Sequence, residues 1–129
     1  EANFTDALME NSNLSDASFT NSKFRYAKIV DADLTGVNLT GSDMSVADLR
    51  SNLNNANLTQ ADLRGADLTG ANLTGANLSR ANMFDAKIAD ANLTRTKMEG
   101  ATGPHGQRIG VVSTTLRKSV RKWWQFWAS

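Results

Sequence analysis

The side chains that could carry out chemistry are few, and they are not grouped as a reactive site. His105 is the single histidine, it lies in the Gly- and Pro-containing segment 103–106, and the chain has no cysteine. Zinc sites need several histidine or cysteine ligands, and nucleophilic catalysis needs a base beside the nucleophile. We therefore expect no catalytic residue, no bound metal and no cofactor, and we interpret His105 as a solvent-exposed loop residue.

Aspartate and asparagine, whose oxygens could bind Ca²⁺, are frequent but evenly spaced. Most of them lie one residue before or two residues after a large apolar residue, and this spacing recurs along most of the chain. The ligands of one ion must converge, whereas an even spacing distributes them around the molecule. The pattern therefore indicates a repeating backbone element rather than a calcium site.

That element is a unit of five residues. The segment 56–79 reads ANLTQ ADLRG ADLTG ANLTG ANLS with almost no variation. Twenty units can be counted, each centred on a large apolar residue, and the residue two before the centre is alanine in fourteen units and serine in four. The centres are Phe4, Met9, Leu14, Phe19, Phe24, Ile29, Leu34, Leu39, Met44, Leu49, Leu53, Leu58, Leu63, Leu68, Leu73, Leu78, Met83, Ile88, Leu93 and Met98.

A period of five fits neither an α-helix nor a long strand, but it fits a very short strand followed by a two-residue turn. The small residue and the centre, two apart, point to the same side of an extended chain, and the residue between them points outward. The second turn residue is usually Gly, Asn or Asp, which tolerate a left-handed backbone. Val46 is β-branched, so we expect a different turn type there.

Tandem A-[DN]-L-x-x units resemble the pentapeptide repeat family, and the resemblance covers residues 2–100. It implies an all-β solenoid: a right-handed quadrilateral parallel β-helix of about five coils, with one unit on each side. It also implies a bacterial, often cyanobacterial, source. We predict three segments: the β-helix at 1–101, a Gly/Pro linker at 102–112 and an amphipathic α-helix at 113–129.

One residue is missing between the centres Leu49 and Leu53. Either the tenth unit lacks its last residue or the eleventh lacks its first, and Ser51 could fill either role. We interpret the deletion as a tolerated irregularity at a corner, with a kink used for recognition as the alternative.

Four residues form a candidate interaction surface. Phe84 follows a centre directly and should be exposed, and Arg25 and Arg64 occupy the same place in their own units. In a four-sided solenoid these residues would share one side. Tyr26, which replaces the usual turn residue beside Arg25, completes the set.

The segment 113–129 reads as a helix with apolar and basic sides. We expect it to cap the last coil, since repeat proteins need a covered end. The alternatives are an interfacial membrane helix, because aromatics lie opposite Lys and Arg, and a dimer contact. The candidate residues are Leu116, Val120, Trp123, Trp124, Phe126 and Trp127.

Charge restricts the functional hypotheses. All 13 acidic residues lie in the repeats, which carry a net charge of −4, whereas the tail carries +5. We expect a non-enzymatic module that binds a protein partner, as a monomer or weak homodimer and without nucleic acid. Some pentapeptide repeat proteins imitate duplex DNA and inhibit DNA gyrase, which is an alternative function. However, duplex DNA carries about one negative charge per 1.7 Å of its axis, and a net charge of −4 over all the repeats is far lower.

The compartment is not indicated by the sequence. No apolar run is long enough to span a membrane, and no signal peptide is visible. The chain starts at Glu1 rather than Met, so earlier export remains open. We expect a soluble protein of the bacterial cytoplasm, the periplasm or the thylakoid lumen.

Overall fold

The backbone forms four columns of single-residue β-bridges. The computed structural model describes residues 1–110, and this part of the chain contains no α-helix and no strand longer than one residue. We name the columns faces A to D. Their bridging residues are Asn3, Lys23, Asp43, Asp62, Asn82 and Thr102 on face A; Leu8, Lys28, Asp48, Asp67 and Lys87 on face B; Asn13, Asp33, Asn52, Asn72 and Asn92 on face C; and Ser18, Asn38, Asn57, Asn77 and Lys97 on face D.

The spacing of the bridges shows that each coil has four sides. Asn3 pairs with Lys23 and Leu8 with Lys28, all in parallel, so one coil takes twenty residues or four units. Across the deletion the spacing falls to nineteen, as in the pair Asp33–Asn52. The five-residue period alone does not fix the number of sides, because any whole number of units per coil would keep the centres inside.

Backbone hydrogen bonds run along the solenoid axis. The Asn77 N–H donates to the Ala56 carbonyl one coil earlier at 2.9 Å, and the Leu78 N–H donates to the Lys97 carbonyl one coil later at 2.6 Å. Within the turn, the Ala81 N–H donates to the Leu78 carbonyl at 3.0 Å. Each side therefore bonds to both neighbouring coils, which satisfies backbone groups that an isolated coil would leave unpaired.

The interior is filled by the centres and the small residues beside them, as predicted. The largest fully buried side chains are Phe24, Ile29, Leu34, Leu39, Met44, Leu49, Leu53, Leu58, Leu63, Leu68, Leu73 and Leu78. At the first coil the Phe4 ring stacks on Phe24 with centroids 4.9 Å apart, and Phe19 meets both rings edge-on at 5.4 Å. The aromatic residues thus fill the N-terminal part of the core, where Phe4 and Phe19 are only partly buried.

The second turn residue is left-handed in almost every unit. Its φ lies near +60° whether it is a glycine such as Gly70 (67°) or a bulky residue such as Tyr26 (62°). The expectation of a different turn at Val46 was wrong, because its φ is 57°. The Val46 N–H donates to the Arg64 carbonyl of the next coil at 2.9 Å, so the stacking imposes the common turn on this unfavourable residue.

The missing residue belongs to the tenth unit. Ser51 is buried, and its carbonyl accepts the Asn72 N–H at 3.2 Å, just as the Ala56 carbonyl in the next unit accepts the Asn77 N–H. The Ser51 N–H donates to the Leu49 carbonyl at 2.8 Å, which closes a shortened turn. The eleventh unit is therefore complete, and the tenth lacks its last residue.

The end of the described chain returns to the last coil. Thr102 continues face A, the Gly103 N–H donates to the Gln107 carbonyl at 2.7 Å, and Arg108 pairs antiparallel with Thr102. Ile109 is buried, and its N–H donates to the Ala101 carbonyl at 2.8 Å. The first part of the segment predicted as a linker is thus bonded to the solenoid. The predicted helix 113–129 and its six candidate residues lie outside the described residues.

Candidate interaction surface

The residues predicted to share one side form two adjacent columns at one corner. Along face A, the first turn residues are Thr5, Arg25, Ser45, Arg64 and Phe84, continued by Pro104, and the second are Asp6, Tyr26, Val46, Gly65 and Asp85, continued by His105. Backbone hydrogen bonds join successive coils here, from Tyr26 to Ser45 at 3.3 Å, from Val46 to Arg64 at 2.9 Å and from Gly65 to Phe84 at 3.0 Å. We name the surface of Arg25, Tyr26, Val46, Arg64 and Phe84 the aromatic corner.

The aromatic corner contains most of the exposed large apolar side chains of residues 1–110. Tyr26 is 47% exposed, Val46 46% and Phe84 48%. The fourth such residue is Leu8, which is 74% exposed and lies on the adjoining face B. The sequence analysis did not include Val46 or Leu8 in the candidate interaction surface. The available signal was that each replaces a residue of the polar consensus, Val46 a turn Gly or Asn and Leu8 an outward Asn or Asp.

Arg25 lies over the ring of its neighbour Tyr26. Its guanidinium carbon is 4.9 Å from the centroid of the Tyr26 ring, a cation–π arrangement. Its Nη1 donates to the Ser45 Oγ at 3.0 Å and its Nη2 to the Tyr26 hydroxyl at 3.3 Å. The Ser45 hydroxyl in turn donates to the Asp43 Oδ1 at 2.6 Å. These contacts hold the cation and the ring in one orientation towards solvent.

Arg64 is bound by the carboxylate of its own unit. Its Nη2 lies 2.7 Å from the Asp62 Oδ2 and its Nε 2.9 Å from the Asp62 Oδ1. This hydrogen-bonded guanidinium lowers the pKa of Asp62 below its ordinary value, with a smaller contribution from Arg25. Arg50 binds Asp48 in the same way, at 2.7 and 2.8 Å, and lowers the pKa of that carboxyl too.

The corner has a notch at Gly65. A Cβ added to Gly65 would meet only the Val46 Cγ2, at 3.6 Å. The absent side chain leaves space above Val46, with Arg64 and Phe84 in the adjoining column. An apolar side chain of a partner would find aliphatic and aromatic neighbours there.

The depression at the deletion is lined by both acidic and basic side chains. About 340 Å³ of space opens where the tenth unit is short, and its lining includes Glu10, Asp31, Lys28 and Arg50. Opposite charges face the same volume, so no ligand of one charge sign is favoured. Within residues 1–110 no group of three or more His, Asp or Glu residues could hold a metal ion. No helix in this part of the chain is long and apolar enough to cross a bilayer.

We expect the Asp62–Arg64 pair to make stability depend on acidic pH. Because the pKa of Asp62 is lowered in the folded state, its contribution is complete above the unfolded value of about 3.9 and is lost as the pH falls through the folded pKa. Asp62→Asn should therefore lower the unfolding midpoint at pH 6, and the difference from the wild type should be smaller at pH 2. Thermal denaturation across this range measures the difference, and an equal loss at both values would contradict the assignment.

Relief of the strain at Val46 should stabilise the protein. A β-branched residue at φ 57° costs on the order of 1–2 kcal/mol, and the half-exposed side chain recovers little of this by burial. We expect Val46→Asn to raise the free energy of unfolding by about 1 kcal/mol. Gln60→Asn is the matched control, since Gln60 has φ 59° without a branched Cβ and should gain much less. Urea denaturation measures both, and equal gains would show that branching is not the cause.

The parallel bridges repeat every four units, and two-residue turns lie at the four corners. This arrangement is a quadrilateral β-helix that displays side chains on a rigid frame. The chain belongs to the pentapeptide repeat family, whose model matches eight copies of the repeat over residues 2–41, 29–75, 51–88 and 61–100. Proteins of this family form right-handed quadrilateral β-helices.

Three solved structures illustrate the likeness. The pentapeptide repeat protein Rfr23 of the cyanobacterium Cyanothece 51142 is 25% identical over 78% of this chain and 82% of its own, with a TM-score of 0.76. The protein alr5209 of Nostoc PCC 7120 is 31% identical over 89% of this chain and 79% of its own, with a TM-score of 0.46.

The third is trypsin-treated QnrB1, a plasmid-mediated fluoroquinolone resistance protein. It is 12% identical over 95% of this chain and 70% of its own, with a TM-score of 0.67, so the likeness concerns the fold alone. No protein of curated function matches the sequence significantly.

Proposed function

We propose that this protein is a non-enzymatic interaction module that binds a protein partner through the aromatic corner. One observation carries the proposal: three of the four exposed large apolar side chains of residues 1–110, namely Tyr26, Val46 and Phe84, lie at one corner with Arg25 and Arg64 beside them. Aromatic residues and arginine are enriched at protein interfaces and at their hot spots.

The backbone of the corner supports this function. Tyr26 and Val46 are left-handed residues at φ 62° and 57°, where Gly or Asn would fold at lower cost. Neither side chain gains much by burial in the monomer. Gln60, Arg80 and Arg95 have the same left-handed backbone at other corners, but their side chains are polar, so an exposed apolar side chain retained at this cost distinguishes the aromatic corner. Because both neighbouring coils fix the turns by hydrogen bonds, little ordering cost remains to be met on binding.

The distribution of charge also indicates that the binding surface lies on this side of the solenoid. Faces A and B and their corners carry most of the acidic and basic residues of the described coils. Faces C and D display mainly amide and hydroxyl groups, many of them bonded within their own unit, as the Thr59 hydroxyl is to the Asn57 Oδ1 at 2.7 Å. The charged residues on C and D are Asp16, Asp33, Arg80, Arg95, Lys97 and Glu99.

The alternative of an inhibitor that imitates DNA receives less support. A duplex mimic needs an unbroken negative column, but Arg64 binds Asp62, and Arg50 binds Asp48 at 2.7 Å and approaches Asp67 at 3.7 Å. We expect no inhibition of gyrase supercoiling at micromolar protein. The membrane alternative depends on 113–129, outside the described residues, and stays a hypothesis.

The proposal is tested by affinity capture from cells that express the protein. The corner variant carries Tyr26→Asn and Phe84→Thr, which restore consensus turn residues. The control variant carries Asn54→Thr and Arg95→Asn at the same turn positions of the corner between faces C and D. We expect one stoichiometric protein to bind the wild type and the control, and to bind the corner variant at least about 30-fold more weakly. Retention by the corner variant, equal loss in both variants, or no captured protein would each refute the proposal.

A further inference from the structure

The second coil carries a belt of cations around the aromatic corner. Lys23 lies on face A, Arg25 at the corner and Lys28 on face B, all within one coil, and Tyr26 lies between them. Within residues 1–110, none of the three has a carboxylate oxygen within 4.0 Å. We name Lys23, Arg25 and Lys28 the basic belt.

The lack of an ion pair at Arg25 has a cause in the sequence. Arg50 and Arg64 occupy the same turn position as Arg25, and each binds the aspartate two residues before it, at 2.7 Å. The residue two before Arg25 is Lys23. Arg25 therefore has no carboxylate in its own unit, and its guanidinium lies on Tyr26 instead.

Arg25 retains the capacity to bind a carboxylate. A guanidinium has five N–H donors in a fixed plane, and the recorded acceptors are the hydroxyls of Ser45 and Tyr26. Two neighbouring donors can bind both oxygens of one carboxylate, a strong and directional contact. The contact with the Tyr26 ring and the hydrogen bond to Ser45 hold the guanidinium in position before a ligand arrives.

The surroundings of the belt limit the shape of an anionic ligand. Asp43 pairs with Lys23 and Asp48 with Lys28 on the next coil, while Asp6 occupies the corner below Tyr26. A long polyanion running along the axis would meet these carboxylates. A short acidic segment lying across the corner, along the second coil, would meet Lys23 and Arg25 first. Its far end must stop at Lys28, because Asp31 and Asp48 line the depression beside that lysine. This geometry favours a peptide over duplex nucleic acid, whose charges are continuous.

Apolar surface lies directly beside the belt. Leu8 pairs with Lys28 on face B and is largely exposed, and the Tyr26 ring is half exposed. A segment that crosses the corner would therefore place acidic groups on the cations and an apolar side chain on Leu8 or Tyr26. Charge and apolar contact together give a specificity that three cations alone would not provide.

We propose that the basic belt binds the carboxylates of an acidic, leucine-containing segment of the partner, an inference that rests on the proposed function. The segment lies along the second coil, one of its carboxylates takes the free edge of Arg25, and its leucine contacts Leu8 or Tyr26. The belt thereby selects acidic partners, while Val46, the Gly65 notch and Phe84 supply further apolar contact.

The test uses the full chain and a fluorescent peptide made of repeated Glu-Glu-Leu triplets. A peptide of equal length made of repeated Gln-Gln-Leu triplets is the uncharged probe. Lys23→Asp supplies the missing carboxylate to Arg25 and reverses one belt charge. Lys87→Asp makes the same charge change at the same outward position, on face B of the fifth coil. Fluorescence anisotropy should show at least tenfold weaker binding of the glutamate peptide to the Lys23→Asp variant, and less than a twofold change for Lys87→Asp.

Several outcomes would overturn the inference. These are equal losses in the two variants, equal binding of the Gln and Glu peptides, no binding of the Glu peptide at low salt, or tighter binding of a duplex oligonucleotide of the same charge. The two proposals can fail separately. A partner lost by the corner variant but unaffected by Lys23→Asp would leave the aromatic corner standing and remove the acidic segment. Binding of the Glu peptide without a captured protein would remove the aromatic corner as a partner site and leave the basic belt as a site for acidic segments.

Discussion

Replacement of Leu73 by alanine is expected to destabilise the protein by about 3–5 kcal/mol, the upper part of the range for buried leucines. Leu73 is fully buried on face C, with Leu53 on the coil before it and Leu93 on the coil after it. The backbone on both sides is fixed by ladder hydrogen bonds, including that from the Leu73 N–H to the Asn92 carbonyl at 2.8 Å. The surrounding coils therefore cannot close the cavity, and its cost is retained in full.

Leu14→Ala is the matched control for this prediction. Leu14 is the centre of the same face in the first coil and is only partly buried. Its truncation removes less buried surface and leaves no closed cavity, so we expect a loss of about half or less. Chemical denaturation followed by circular dichroism measures both. Equal losses in the two variants would mean that the interior does not pack coil on coil as described.

Proline in the ladder is expected to have the second largest effect. The Asn77 N–H donates to the Ala56 carbonyl at 2.9 Å, so Asn77→Pro removes this bond and leaves an interior carbonyl unpaired. The side chain is lost as well, and with it the Asn77 Oδ1 that accepts the Ser79 N–H at 3.0 Å. We expect a loss of at least about 2 kcal/mol beyond that of the control, together with local opening of the coil.

The control substitution is Asn3→Pro. Asn3 is a bridging residue of the first coil, and its Oδ1 also accepts an N–H in its own unit, that of Thr5 at 3.0 Å. Its own N–H has no acceptor among the described residues. Asn3→Pro therefore removes the turn contact but no ladder bond. Hydrogen exchange should show lost protection around residue 77 only, and comparable losses around residue 3 would contradict the account of the ladder.

The core could be predicted from the sequence because the inward positions obey a simple chemical rule. A small residue and a large one, two apart, fill the space inside one side, and Leu63, Leu68, Leu73 and Leu78 are fully buried as expected. The number of sides could not be derived from a period of five, because it depends on how the coils close. That prediction depended on the family resemblance, and the bridges confirm it.

Two local predictions show where sequence reasoning lacked information. Val46 was expected to avoid a left-handed turn on its intrinsic preference, but the hydrogen bond to the Arg64 carbonyl overrides it. Ser51 fitted two roles equally well, and only its burial and the bond from Asn72 decide between them. In both cases the deciding partner lies about twenty residues away, beyond the reach of a local pattern.

The candidate surface was partly predictable. The common column of Arg25, Arg64 and Phe84 follows from counting units across the deletion. The open space beside Val46 depends on the missing side chain of Gly65 one coil later, whereas Leu8 is exposed because it takes the outward position of its unit. The contact of Arg25 with Tyr26 is a matter of side-chain orientation, which the residue types allow but do not require.

The direction of the ladder bonds has a mechanical consequence. Because these bonds lie parallel to the long axis, a force that pulls on one end of the chain loads the bonds of a single coil and peels it from the next. Each peeled coil would release about twenty residues, or roughly 65–70 Å of extended polypeptide. An optical trap should therefore record a staircase of nearly equal steps at low force, and not one abrupt rupture of the whole molecule.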